Sequence, residues 1–279
     1  MRNHAFTRLV RRMASAFGSA GRRRGVAAAC AVALTTSMTV AMTAELAGPA
    51  AAATDPQCTT SALLVPGCGV LTGMATYKVA GQTWEQSVAA YETKSGSPTD
   101  VLHNYHTWTT TFPDAAEKAR ADAGQKLLIT WIGERDNGQV VRWADIANGS
   151  QDAVIDAQAA SVKAFGRPIW VNFQNEPEAF VGTRGSAADF VAAWRRIHDR
   201  FVAAGATNAV WTLVYMGVAD SQSFLAKTAA LYPGDDYVDW IGWDPYNRAS
   251  CNGLPWKDFR QTVKPFYDWL MTNGHADKP

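Results

Sequence analysis

The segment Phe173-Gln174-Asn175-Glu176-Pro177-Glu178 sets an Asn–Glu pair at the end of an apolar run, Arg167–Phe173. A carboxyl group held among aromatic side chains has its charged form desolvated. Its pKa rises, and it can give a proton to a leaving oxygen and take one back from water. Pro177 stops the run at once, which fixes the carboxylate at its end. Glu176 is therefore the candidate catalytic residue. The plainer alternative is a helix N-terminal carboxylate or a loop salt bridge.

All 11 Trp follow residue 53, and Trp108, Trp131, Trp211 and Trp243 fall at the ends of predicted strands. Flat rings beside polar groups suit the apolar C–H faces of sugars, so Trp131, Trp211 and Trp243 are candidate substrate contacts; Trp170, Trp194, Trp240 and Trp269 read as core. In Trp243-Asp244-Pro245-Tyr246-Asn247, Tyr246 is placed to hydrogen-bond a catalytic carboxylate, whereas Asp244 reads as an ordinary loop acid. His103 and His106 do not make a metal pair, because strand spacing does not aim both inward and no third ligand is near; His106 is kept as a structural or sugar-contacting residue. Asp235-Asp236 after Pro233-Gly234 reads as turn chemistry. With no Gly-x-Ser-x-Gly elbow and no His-Glu-x-x-His helix, serine hydrolase and zinc protease chemistry are poor fits, and no metal or cofactor is expected.

These residues need a scaffold, and the chain beyond Gly69 supplies an alternating one. Apolar runs at Val70–Met74, Asp100–Tyr105, Lys126–Trp131, Arg167–Phe173, Asn208–Val214 and Tyr237–Trp243 are predicted strands. Between and after them lie predicted helices at Thr83–Lys94, from Asp114, at Asp152–Phe165, Ser186–Ala204, Ser221–Ala230 and about Trp256–Thr272. Near-continuous apolar strands separated by helices imply a parallel α/β fold. No Gly-rich phosphate loop follows the first strand, so a (β/α)8 TIM barrel is preferred over a dinucleotide fold. Six units are present where a barrel needs eight, and the expectation is an incomplete barrel.

Residues 1–53 read as an address. They hold seven Arg and one acid, then an Ala/Val/Thr-rich run, then Gly48-Pro49-Ala50-Ala51-Ala52-Ala53. This is the pattern of a secretory signal peptide cleaved after Ala53, with an uncleaved anchor as the alternative. The expected product is secreted, without stable membrane insertion. Residues 54–68 form a lead-in and 69–279 the partial catalytic barrel. Past residue 53 there remain 19 basic and 24 acidic residues, so no basic stripe is available for nucleic acid. Cys58 and Cys68 flank a short loop that a disulfide can close, leaving Cys251 without an obvious mate.

From about Gly69 to Pro279 the sequence resembles glycoside hydrolase family 26, part of the clan of retaining (β/α)8 glycosidases. The pieces that carry this are Arg167-Pro168 with Asn175-Glu176-Pro177-Glu178, Ala193-Trp194-Arg195-Arg196-Ile197-His198, Ala203–Trp211, and Tyr232–Ile241. The resemblance implies that Glu176 is the acid/base, that Asn175 holds a sugar hydroxyl and that Tyr246 steadies the nucleophile. That nucleophile is a Glu at the end of strand seven, which in the family begins after a Lys-Pro like Lys278-Pro279, and so is expected beyond these residues. The family often has His before the acid/base, where this chain has Asn175. The implied substrate is a β-linked polysaccharide, β-mannan first, acted on by a monomer. The alternative is a non-catalytic carbohydrate-binding protein on a degenerate barrel.

Overall fold

A computed structural model describes residues 59–75, 81–247, 249 and 253–279; the expected signal peptide, Cys58 and Cys251 lie outside the described residues. Six strands, β1 (Gly73–Ala75), β2 (Val101–His106), β3 (Lys126–Trp131), β4 (Ile169–Phe173), β5 (Ala209–Tyr215) and β6 (Trp240–Trp243), lie side by side in chain order. Each is parallel to the next. The sheet curls into an incomplete (β/α) barrel, as the alternation of elements implies.

The helices are α1 (Trp84–Ser95), α2 (Ala115–Asp122), α3 (Trp143–Ala147), α4 (Asp152–Phe165), α5 (Ala187–Ala204), α6 (Gln222–Ala230) and α7 (Phe259–Thr272). Four of them begin where a side chain can satisfy the orphan backbone N–H groups of a first turn. Thr83, Asp114, Ser186 and Asp258 each form a capping box, with Gln86, Glu117, Asp189 and Gln261. Gly205, at φ 75°, closes α5 in the left-handed conformation expected of a glycine after a helix.

Three elements depart from the sequence reading. β1 is only three residues long and starts at Gly73, where the backbone lies so close to Val101 that an added Cβ would stand 3.1 Å from the Val101 Cβ. β6 starts at Trp240 because Asp235–Tyr237 wind into a 3-10 turn and Asp239 turns its carboxylate onto the Trp211 N–H (2.7 Å). α3 was not expected. It has no side-chain cap and is held by tertiary packing, with Trp143 wholly buried edge-on against Phe190 at 5.1 Å.

Side chains alternate across each strand, so every strand divides its residues between helices and barrel interior. Leu127, Ile129, Trp131, Val171, Phe173, Trp211, Leu213 and Tyr215 face outward into one core with Phe190, Trp194 and Phe201 of α5. Inward, at the N-terminal end, Trp170 and Val210 pack with Leu64 of the lead-in, flanked by Val101, Leu128 and Trp240. Higher on the same inner wall the residues become polar: His103, Thr130, Asn172. On the far side of β6, the Ile241 N–H donates to the Pro279 carbonyl (3.2 Å).

Candidate active site

The polar inner wall is a connected hydrogen-bond chain. His103 Nε2 meets Thr130 Oγ1 at 2.8 Å, and Asn172 Nδ2 donates both to that hydroxyl (3.1 Å) and to Asn175 Oδ1 (3.1 Å). Asp244, in the loop after β6, lies close to both Asn175 and Glu176, and its buried Oδ1 has no hydrogen-bond partner. Three neighbouring strands, β2, β3 and β4, and the loops after β4 and β6 thus converge on one carboxyl pair at the C-terminal mouth, the face where barrel folds build their sites.

β4 ends at Phe173, and the next three residues turn the chain sharply. Gln174 (φ 59°) and Glu176 (φ 51°, ψ 56°) both sit in the left-handed region, which costs a non-glycine residue ~1–2 kcal/mol. Such strain persists where neighbours over-determine it. Here the Gln174 N–H donates to Trp131 O (3.0 Å), Gln174 Oε1 accepts from the Gly133 N–H (3.2 Å), and the Glu176 N–H donates to Val214 O (2.9 Å). The loop is therefore stitched to β3 on one side and β5 on the other. Pro177 does not itself end the strand; it opens a 3-10 turn over Pro177–Ala179, where its fixed φ suits a first helical position.

The electrostatics at the mouth favour bound protons. Burial, reinforced by the hydrogen bond and charge of Glu176, pushes Asp244 up to about 8. Burial likewise lifts Glu178 to about 7, with the Glu176 charge adding to the rise. Burial draws the His103 ring down to about 4, so it stays neutral beside Thr130. Asp244, raised to about 8, therefore keeps its proton through neutral pH beside Glu176.

The structure separates the other expected site residues. Tyr246 lies in the same loop as Asp244 and is 68% exposed. Trp131 is fully buried on the helix side, stacked on Trp108 at 4.1 Å with its indole N–H on Trp108 O (3.2 Å). Trp211 packs among Trp194, His198 and Phe201. Trp243 also points outward, against Phe266 at 5.3 Å. His106 is buried and bonded to Glu117 Oε1 at 2.8 Å behind the sheet. The expectation that these four contact substrate is corrected by strand parity. Trp131 and His106 are next to, or three residues from, inward-facing Thr130 and His103, and so face the other way.

Asp244, read as a loop acid, is the residue most underestimated, and Thr130, Asn172, His103 and Gln174 were not singled out for this site. Parity carried the missing signal: Asn172 is a lone polar residue inside a run of apolar ones, at the position that faces the barrel axis. Among the described residues no cluster of three or more His, Cys, Asp or Glu is placed to hold a metal, and no helix is long and apolar enough to cross a membrane. Cys68 is disulfide-bonded, its partner lying outside the described residues.

No family model matches the chain. Over 208 residues, 70% of the chain, it is 30% identical to Endoglucanase H of Acetivibrio thermocellus. The likeness to a glycoside hydrolase stands. The chain spans only 22% of the length of that relative. In fold it is similar to the YdhT protein of Bacillus subtilis, with a TM-score of 0.50 at 16% identity, covering 75% of this chain and 70% of that one. It is also similar to the GH26 domain of an endo-β-mannanase/endo-β-glucanase from Prevotella bryantii, with a TM-score of 0.49 at 15% identity, covering 68% and 73%.

Proposed function

We propose that the chain is the greater part of the catalytic barrel of a secreted retaining glycoside hydrolase that cleaves a β-linked polysaccharide, β-mannan first. The observation that carries the reading is Glu176 at the barrel mouth, at the end of an inner wall of Asn and Thr and beside Asp244, a carboxyl that keeps its proton up to about pH 8. Glu176 receives that proton and delivers it to the glycosidic oxygen. After the glycosyl-enzyme forms, Glu176 takes a proton from water, which attacks the anomeric carbon. Asn175, oriented by Asn172, holds a sugar hydroxyl in place.

Retention needs a second carboxylate ~5–5.5 Å from the acid, on the other side of the bond to be broken. Asp244 and Glu178 are both lifted well above the usual carboxylate range, to about 8 and about 7, so neither is an ionised nucleophile fitted to that role. The nucleophile is assigned to a strand that would pair with the outer edge of β6, outside these residues, with Tyr246 steadying it. The similarity to an endoglucanase and to a mannanase/glucanase domain supports this class of substrate. A non-catalytic carbohydrate-binding barrel is the second reading, favoured by the raised pKa values of Asp244 and Glu178, the two carboxyls that act on or beside Glu176.

The test is a panel of β-mannan, mixed-linkage β-glucan and β-1,3-xylan given to the chain extended through its next strand, with product anomers followed by NMR. Net retention on one of them, lost in Glu176→Gln, is the expected outcome. Binding without cleavage would favour the second reading.

A further inference from the structure

Glu178 is a buried carboxyl that the proposed reaction does not use. It is 3% exposed, and its Oε1 accepts the backbone N–H of Met216 at 3.1 Å, just past the end of β5. Its Oε2 makes no hydrogen bond, and the Thr228 hydroxyl beside it on α6 is committed to Phe224 O (3.1 Å). Burying a carboxyl to satisfy one N–H is costly, since a desolvated oxygen without a partner loses its water for nothing. The placement makes sense through what it holds.

The Glu176 N–H donates to Val214 O at 2.9 Å, so residues 176 and 178 are pinned to residues 214 and 216, at the end of β5 and just past it. Between the two pins the backbone passes through the left-handed Glu176 and the 3-10 turn, closed by Ala179 N–H to Glu176 O (3.0 Å). One pin alone would let the turn relax toward an unstrained conformation. Two hold the Glu176 backbone in its left-handed conformation and so fix where its side chain leaves the loop.

We infer that Glu178 is a positioning residue, whose carboxyl ties the Glu176 loop to the exit of β5 and so aims the Glu176 carboxyl at Asp244. This rests on the reading of Glu176 as the acid/base. The surroundings agree with it. Glu178 faces Glu176 from its own loop, the Tyr215 ring and Met216 N–H from β5, and Thr228 from α6, with no cation among the groups that set its titration. It therefore stays largely neutral below about pH 7 and does not repel the pair it positions.

The experiment uses the 279-residue chain without sugar and reads two things by NMR: amide exchange at Glu176 and Met216, and the carboxyl titration of the Glu176–Asp244 pair. Glu178→Met should raise exchange at both amides by about tenfold or more, the size of a lost hydrogen bond, and displace the pair's titration. Glu178→Gln keeps an oxygen for the Met216 N–H and should hold both amides within about threefold of wild type. Glu176 exchange and a pair titration unchanged in Glu178→Met would overturn the inference. So would a tenfold loss of protection in Glu178→Gln, which decides the matter even where the Met variant does not fold. Because no substrate is present, a protein that cleaves nothing leaves this test intact. Conversely, full hydrolytic activity in Glu178→Met would remove the positioning role while leaving Glu176 as the acid.

Discussion

Asp244 shows how a single carboxyl can be ordinary in sequence and decisive in space. Its N–H is tied to Tyr215 O (3.1 Å) and its side chain is drawn into the barrel mouth, where burial and Glu176 lift its pKa to about 8. The sign of the consequence follows. Its folded pKa lies above its ordinary value of 3.8, so the protonated form favours folding. That contribution is complete below about pH 4 and disappears as pH rises through about 8. Asp244→Asn, which stays neutral, should therefore be more stable than the parent at pH 9, measured by urea unfolding, and no more stable at pH 4. Asn has no such proton to lose, so the carboxyl titration near pH 8 should vanish in Asp244→Asn; its survival would contradict the assignment to Asp244.

Elements decide which face a residue serves. Glu117, wholly buried near the start of α2, accepts from Asn104 Nδ2 (2.7 Å) and His106 Nε2 (2.8 Å) with one oxygen and from the Asp114 N–H (2.7 Å) with the other. Burial pushes its carboxyl up, but the hydrogen bond and charge of His106, with Asp114 and Asn104, outweigh this and hold it below its usual 4.5. A lowered carboxylate stabilises above its unfolded pKa and loses that stabilisation as pH falls through the folded value. Glu117→Gln should cost roughly 1.5–3 kcal/mol at pH 7, the size of a hydrogen bond to a buried charged group, and progressively less on acidification. Trp131→Ala should likewise cost about 3–5 kcal/mol by leaving a cavity against Trp108. In both variants the Glu176–Asp244 titration should stay put, because these residues lie behind the sheet. Movement of that titration would place them in the site after all.

The order of the six strands, the caps of the helices and the position of Glu176 were legible because each has a local cause: an apolar run, a capping residue, a strand end followed by proline. The rest depends on contacts distant in sequence. The partners of Asn175 come from β4 and from the loop after β6, about 70 residues on, and no spacing rule links them. The aromatic residues misled for a related reason. A tryptophan at a strand end looks the same from either side of the sheet, and only registering it against an inward polar neighbour such as Thr130 shows that it belongs to the core.

At the scale of the whole molecule, the curled sheet leaves one flank of β6 to be covered. A cavity of about 720 Å³ there is lined by Trp240, Trp243, Trp256, Phe259 and Val263, and Trp256 and Phe259 are 78% and 81% exposed. Exposed apolar surface beside an open strand edge favours association. The 279-residue chain should therefore bind a hydrophobic dye and sediment with a concentration-dependent mass. The chain extended through further strands should do neither; equal behaviour of the two would argue against barrel closure on this flank.

The central claim is that Glu176 exchanges its proton with a glycosidic oxygen, and the most direct measurement is hydrolysis by the extended chain and by its Glu176→Gln variant. β-mannan or β-glucan should be cleaved with retention by the first. The variant should lose nearly all turnover on the polysaccharide while still acting on an aryl glycoside whose leaving group needs no proton. Equal rates for the two proteins on the polysaccharide would contradict the account.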